Sequence, residues 1–168
     1  ARQYYYMAKL ATMVTLKEQE LGRPITYCLQ TFGCQMNEKQ SEVVAGIMDE
    51  IGFKRQDTEN ADVVIYNTCT VRENANLKVY GRLGKLHSLK KSNPDMKIAL
   101  FGCMMQEKQV VDKIQKDYPF VNLVFGTHNI FKFAELLCRM FESSGMIIDI
   151  WKDSDQIVED LPVERKYP

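Results

Sequence analysis

Three cysteines recur at one kind of position. Thr31-Phe32-Gly33-Cys34, Tyr66-Asn67-Thr68-Cys69 and Leu100-Phe101-Gly102-Cys103 each close a stretch of β-forming residues and open the approach to a helical pattern. The intervals between the thiols, 35 and 34 residues, are each one strand-plus-helix unit. Phe32-Gly33-Cys34-Gln35-Met36 is echoed by Phe101-Gly102-Cys103-Met104-Met105, and a small glycine beside a thiol lets backbone approach a bulky group. Each thiol also sits near a helix start, where unpaired N–H groups and the helix dipole favour the thiolate that binds metal. Three soft thiolates suit an iron–sulfur cluster or zinc. A cluster held by three cysteines keeps one iron open, as a catalytic metal keeps an open position. The plainer reading of the same residues is buried free cysteine in a core. No CxxC pair is present, which counts against a zinc ribbon and a thiol-redox site.

The other metal-competent side chains read differently. Cys28 lies inside the first predicted strand and Cys138 flanks the apolar stripe of the last helix, so both read as structural. His87 falls toward the apolar side of its helix and reads as packed. His128, in Gly126-Thr127-His128-Asn129, follows the fourth predicted strand; it either completes a zinc site with the three cysteines or forms a helix-starting turn, the turn being preferred.

The elements that must position these residues follow from periodicity. Residues 1–23 read as a helical leader, with Tyr6, Leu10, Met13, Lys17 and Leu21 at helical intervals and Gly22 and Pro24 as its stop. Ile25–Thr31 reads as a strand. A helix follows, with Asn37 and Gln40 resembling a capping box and Val44, Ile47, Met48 and Ile51 on one face before Gly52. Asp62–Asn67 is almost unbroken in apolar residues, as in a parallel strand covered on both faces. Strands over 97–101 and 121–125 lead into helices carrying Val110, Val111 and Ile114, and Ile130, Phe133, Ala134, Leu137 and Phe141. Met146–Trp151 adds a fifth strand. This alternation predicts an α/β domain over 24–151: a mainly parallel sheet of four to five strands with helices on both faces, doubly wound and flavodoxin-like. All strand C-termini then share one edge, where such sheets hold ligands, so the three thiols converge there.

Overall charge says little, because 22 basic residues balance 22 acidic ones over 168 residues. Locally it does: the helix expected over 72–91 and its exit to Lys97 carry seven Lys or Arg against two acids. Lys78, Arg82 and Lys85 share one flank, apart from Val79, Tyr80, Leu83 and Leu86, and with Arg72 they are the candidate phosphate contacts; the other reading, a solvated helix face, is slightly preferred. Residues 152–168, with five acids, three bases and two prolines, read as a linker. No apolar run reaches the roughly 20 residues of a membrane span, and the start lacks a secretory signal, so no membrane partner and a cytoplasmic location are expected.

The motifs together are specific. Thr31-Phe32-Gly33-Cys34-Gln35-Met36-Asn37, Asn67-Thr68-Cys69-Thr70-Val71-Arg72-Glu73-Asn74-Ala75, Gly81-Arg82-Leu83, Gly102-Cys103-Met104 with Gln106, and Gly126-Thr127-His128-Asn129 resemble the N-terminal domain of the methylthiotransferases, radical S-adenosylmethionine enzymes that act on tRNA or a ribosomal protein. The likeness covers nearly everything after the leader. It implies that Cys34, Cys69 and Cys103 hold an auxiliary 4Fe-4S cluster with one open iron. Gln35-Met36-Asn37, the Asn67–Arg72 segment and Asp160-Leu161-Pro162-Val163-Glu164-Arg165 are most similar to the tRNA branch, which adds methylthio at carbon 2 of N6-isopentenyl-adenosine beside the anticodon. Gln40 stands where the family usually has Asp, and Met105 where it often has Ala; neither is an implied ligand.

The resemblance also implies what is elsewhere. The family's CxxxCxxC motif for a second 4Fe-4S cluster, its S-adenosylmethionine site and its RNA-binding TRAM domain have no counterpart in this sequence, so 152–168 reads as the linker toward an absent radical domain. On that reading the chain carries no catalytic residue and does not turn over alone. It supplies the sulfur, from a donor the sequence leaves unassigned, to an adenine carbon activated by a radical made elsewhere. Two alternatives stay open: a zinc-bound or metal-free doubly wound nucleotide-binding module, disfavoured by the lack of a GxGxxG or GxxxxGK[ST] loop, and a threonylcarbamoyl-adenosine or ribosomal-protein branch of the family.

Overall fold

The computed structural model describes residues 2–32, 35–68, 73–102, 105, 107–126, 130, 132–143 and 145–150. Arg2–Leu21 forms α1, which ends at Gly22 in the left-handed region (φ +71°), a conformation glycine adopts without a Cβ clash. β1 (Thr26–Thr31), α2 (Gln35–Ile51), β2 (Lys54–Arg55) and β3 (Val63–Thr68) follow. α3 (Glu73–Ser92), β4 (Lys97–Gly102), α4 (Lys108–Asp117), β5 (Leu123–Phe125), α5 (Phe133–Glu142) and β6 (Ile147–Asp149) complete the described chain.

All strand pairs are parallel, in the order β2-β1-β3-β4-β5-β6. The sheet therefore has six strands, where periodicity predicts four to five. The extra one, β2, has two exposed basic residues and no apolar alternation to reveal it. Side chains alternate between faces with period two. Tyr27, Leu29, Val63, Ile65, Ala99, Phe101, Leu123 and Phe125 pack under α1, α2 and α5. Cys28, Val64, Tyr66, Ile98, Leu100 and Val124 pack under α3 and α4. β3 and β4 sit at the centre, and their residues are buried on both faces, which is why their sequences read as apolar runs. Phe101 and Phe125 stack at 4.9 Å between ring centroids, a pairing worth about 0.5–1.5 kcal/mol beyond its buried area.

The chain reverses direction between β1 and β3, the switch at which doubly wound sheets form a crevice. The last unit, β5-α5-β6, steps outward as β3-α3-β4 does, yet its helix packs on the opposite face, the reverse of the common hand. α5 fills the space beside α1 there: the Ala134 N–H donates to Gln3 Oε1 at 2.9 Å, tying the start of α5 to the start of α1.

Two local expectations are corrected. α2 begins at Gln35, so Asn37 lies within its first turn and not at its cap, because the β1–α2 connection is shorter than the capping pattern implies. His87 is exposed and not packed on the apolar side; it stacks on Phe120 at 4.5 Å. No described helix is long and apolar enough to cross a membrane.

Candidate functional site at the strand ends

The three expected ligands, Cys34, Cys69 and Cys103, lie outside the described residues, as do Arg72, His128 and the 152–168 linker. The residues on either side of the thiols are described. Cys69 follows Thr68, the last residue of β3; Cys103 follows Gly102, the last of β4; Cys34 precedes Gln35, the first of α2. β1, β3 and β4 are neighbours, with Thr31 opposite Asn67, Asn67 opposite Phe101, and Thr68 opposite Gly102. Neighbouring strands lie about 4.8 Å apart, so the three cysteine-bearing segments leave one edge of the sheet from adjacent positions.

Beneath that edge is a small buried polar layer. Thr31 Oγ1 and Ser41 Oγ are 2.6 Å apart, and Asn67 Nδ2 donates to Ser41 Oγ at 3.0 Å. The Thr68 hydroxyl donates to the Phe101 carbonyl at 2.9 Å, and the Phe32 N–H donates to the Asn67 carbonyl at 2.7 Å. Asn67 and Thr68 are fully buried and Ser41 nearly so. One side chain from α2 thus bonds the ends of both β1 and β3, and one from β3 bonds the end of β4. Burying hydroxyls and an amide is tolerable only because they satisfy one another.

Gly102 completes the layer. Its φ is +117°, and a Cβ built there meets the Thr68 carbonyl at 2.3 Å and Asn67 Oδ1 at 2.7 Å. Position 102 therefore accepts only glycine, for its backbone angle and for the closeness of β3.

A second network adjoins it on the α3 face. Glu59, in the connection from β2 to β3, is buried; the Tyr66 hydroxyl donates to its Oε2, and Arg82 Nη1 donates to its Oε1 at 2.7 Å. Lys85 Nζ lies 3.9 Å from the same oxygen. Burial, then the bond to Glu59, pushes the Tyr66 hydroxyl far above its ordinary pKa, so it stays a donor. The Tyr66 ring meets Phe32 edge-on at 5.1 Å, linking β3 to the residue after β1. Of the predicted basic stripe, Lys78 is exposed, while Arg82 and Lys85 are exposed side chains that converge on Glu59.

Cys28 and Cys138 are where a structural role puts them. Cys28 is buried beneath α3, donating to the Asp57 carbonyl at 3.7 Å and accepting from Gln30 Nε2. Cys138 is buried in α5 and donates to the Tyr6 carbonyl at 3.8 Å. Burial raises both thiol pKa values, the opposite of what a ligand or nucleophile needs. Among the described residues no three His, Cys, Asp or Glu side chains cluster as metal ligands.

Sequence reasoning missed Ser41 and Glu59. Ser41 carries a faint signal, sharing helical spacing with Val44, Ala45 and Met48, all buried. Glu59 carries none, since a single acid in a polar connection is ordinary.

Fold and edge define a doubly wound α/β domain in which β1, β3 and β4, the strands that precede Cys34, Cys69 and Cys103 in sequence, end side by side. Residues 26–126 match the family described as Uncharacterized protein family UPF0004, and the chain belongs to that family. It is 60% identical over 161 residues to the tRNA-2-methylthio-N(6)-dimethylallyladenosine synthase of Lachnoclostridium phytofermentans, covering 96% of this chain and 35% of that protein. It is 49% identical to the protein of the same name from Acetivibrio thermocellus, over 99% of this chain and 35% of the relative. Against the Bacillus licheniformis protein of that name the identity is 46%, over 86% of this chain and 29% of the relative. The chain spans about a third of the length of these curated relatives.

Proposed function

We propose that this chain is the auxiliary-cluster domain of a tRNA methylthiotransferase, with residues 24–151 as the domain and 152–168 as the linker toward a radical S-adenosylmethionine domain. Cys34, Cys69 and Cys103 are its ligands to a 4Fe-4S cluster with one open iron. The observation that carries the reading is the register of Thr31, Asn67, Thr68, Phe101 and Gly102, which sends the three cysteine-bearing segments off one edge. The donor chemistry fits such a group, since three soft thiolates are what an iron–sulfur cluster takes, and Gly102 holds the end of β4, just before Cys103 in sequence, tight against β3. When bound, the cluster supplies a site at which sulfur is held for transfer.

The chain's own residues do the positioning. Ser41 holds the ends of β1 and β3 to α2, and Thr68 holds the end of β4, so the flanks of all three ligands belong to one rigid layer. The start of α2 follows Cys34 directly, and its dipole favours a thiolate there. Radical chemistry at carbon 2 of N6-isopentenyl-adenosine, with S-adenosylmethionine and a second cluster, belongs to the radical domain of a longer enzyme, and RNA binding to its TRAM domain, so this chain alone does not turn over. The tRNA activity is that of the named relatives, and the whole-protein substrate follows them.

Anaerobic reconstitution tests the ligand set. The chain should take up about four irons with matching sulfide, and Cys34→Ala, Cys69→Ala and Cys103→Ala should each lower the iron content at least several-fold. Unchanged iron in all three variants, or stoichiometric zinc in place of iron, would move the assignment to a zinc-bound binding module.

A further inference from the structure

We infer that the outer face of α3 is an RNA-backbone binding face centred on Gly81 and Gly84; this rests on the tRNA reading above but not on the cluster. From Asn74 to Ser92 the helix contains no acid. Val79, Leu83 and Leu86 are fully buried against the sheet, which fixes the outward direction. By 3.6-residue geometry the outermost line is then Gly81, Gly84 and Ser88, all exposed. Lys78, Arg82 and Lys85 flank this line on one side, and His87 and Lys91 on the other, again all exposed.

The glycines are unexplained by the fold itself. Neither has a positive φ, and a Cβ at either would meet nothing within 4 Å. Glycine in a helix interior is less favourable than alanine, so two of them inside a 20-residue helix, at sites with open space, weaken α3 with no return from internal packing. A smooth, cation-flanked helix face suits close approach of a polyanion, because a phosphodiester strand can lie on the small residues while Lys and Arg reach its oxygens from the side. Glu59 is buried beneath Arg82 and Lys85. It holds those two long side chains in place at one flank, which lowers the ordering cost of a phosphate contact. The occupant is RNA, by charge complementarity: Lys78, Arg82, Lys85 and Lys91 are exposed on this helix, which carries no acid from Asn74 to Ser92.

The test separates stability from binding. Gly84→Leu and the Gly81→Ala/Gly84→Ala pair place better helix formers in open space, so both should fold with Tm equal to or a few degrees above the parent. Fluorescence anisotropy with an unmodified anticodon stem-loop RNA should nevertheless show about tenfold weaker binding for Gly84→Leu. Lys78→Gln should weaken it and reduce the slope of log K against log salt by about one. Binding by the parent chain that neither Gly84→Leu nor Lys78→Gln alters overturns the assignment. So does a parent chain that fails to bind this RNA at low salt, or that binds polyglutamate equally well. Iron uptake is read separately, so loss of either result leaves the other standing.

Discussion

Gly102 and Thr68 are packed so closely that a methyl group on Gly102 would lie 2.3 Å from the Thr68 carbonyl oxygen. The contact is between the last residues of two central, parallel strands, each directly followed in sequence by a proposed ligand cysteine. Gly102→Ala should therefore be costly twice over, through the positive φ and through the forced separation of β3 and β4. A loss of about 2–4 kcal/mol is expected in urea unfolding, with iron uptake falling along with it. Gly46→Ala, where a Cβ meets nothing within 4 Å, is the control and should be neutral or stabilising. Equal effects at the two positions would show that the close approach is unimportant.

The Glu59 network should behave as a unit. Tyr66→Phe removes a buried donor and Arg82→Ala removes a cation from a buried carboxylate, so each should cost about 1–3 kcal/mol, the Arg82 value being moderated by the exposure of its side chain. In the Tyr66→Phe/Glu59→Gln pair the losses should be non-additive by about 1 kcal/mol or more. Strict additivity in that double-mutant cycle would mean the three groups do not share one network.

At the other edge of the sheet, Arg23 holds Asp62 in a two-pronged pair at 2.7 and 2.9 Å, and the Thr26 N–H donates to the same carboxylate at 2.9 Å. Burial pushes the Asp62 carboxyl up, but the Arg23 and Thr26 bonds more than offset it, so it sits below its ordinary value. A carboxylate with a depressed folded pKa stabilises the fold above its unfolded pKa, near 3.9, and that contribution is lost as pH falls through the folded value. Asp62→Asn should thus cost about 1–2 kcal/mol at pH 7 and flatten the acid limb of the stability curve below about pH 5. An acid limb unchanged in the variant would show that other carboxylates set it.

Most of this architecture was legible because its causes are periodic. β3 and β4 announce themselves by unbroken apolar runs, since both faces are covered. α4 and α5 do so by apolar residues at helical spacing, with Val110, Val111 and Ile114 buried in one and Phe133, Ala134 and Leu137 in the other. The parallel sheet is also what leads sequence reasoning to expect Cys34, Cys69 and Cys103 at one edge; the cysteines themselves lie outside the described residues. What could not be read depends on contacts between distant residues. β2 is too short and too exposed to leave a pattern. Ser41 joins β1 to β3 through bonds that no local spacing encodes, and Glu59 is recognisable only once Tyr66 and Arg82 surround it. Lys78, Arg82 and Lys85 are exposed, as helix geometry leads one to expect, but the shared engagement of Arg82 and Lys85 by Glu59 lies beyond that geometry.

The two remaining cysteines give a sharp internal control on the ligand assignment. Cys28 is 1% exposed and Cys138 4%, each donates to a backbone carbonyl, and burial raises both thiol pKa values, so at neutral pH neither should offer an accessible thiolate. In the native, metal-free chain iodoacetamide should label them only slowly, while unfolding in urea should bring both to the rate of a free thiol. Cys28→Ala and Cys138→Ala should leave iron uptake unchanged and cost stability only through the lost contacts, about 1–2 kcal/mol each. Peptide-resolved mass spectrometry of the labelled chain reads all five thiols in one experiment. Rapid native labelling of Cys28 or Cys138, or loss of iron in either alanine variant, would draw that residue into the site and force the three-cysteine ligand set to be redrawn.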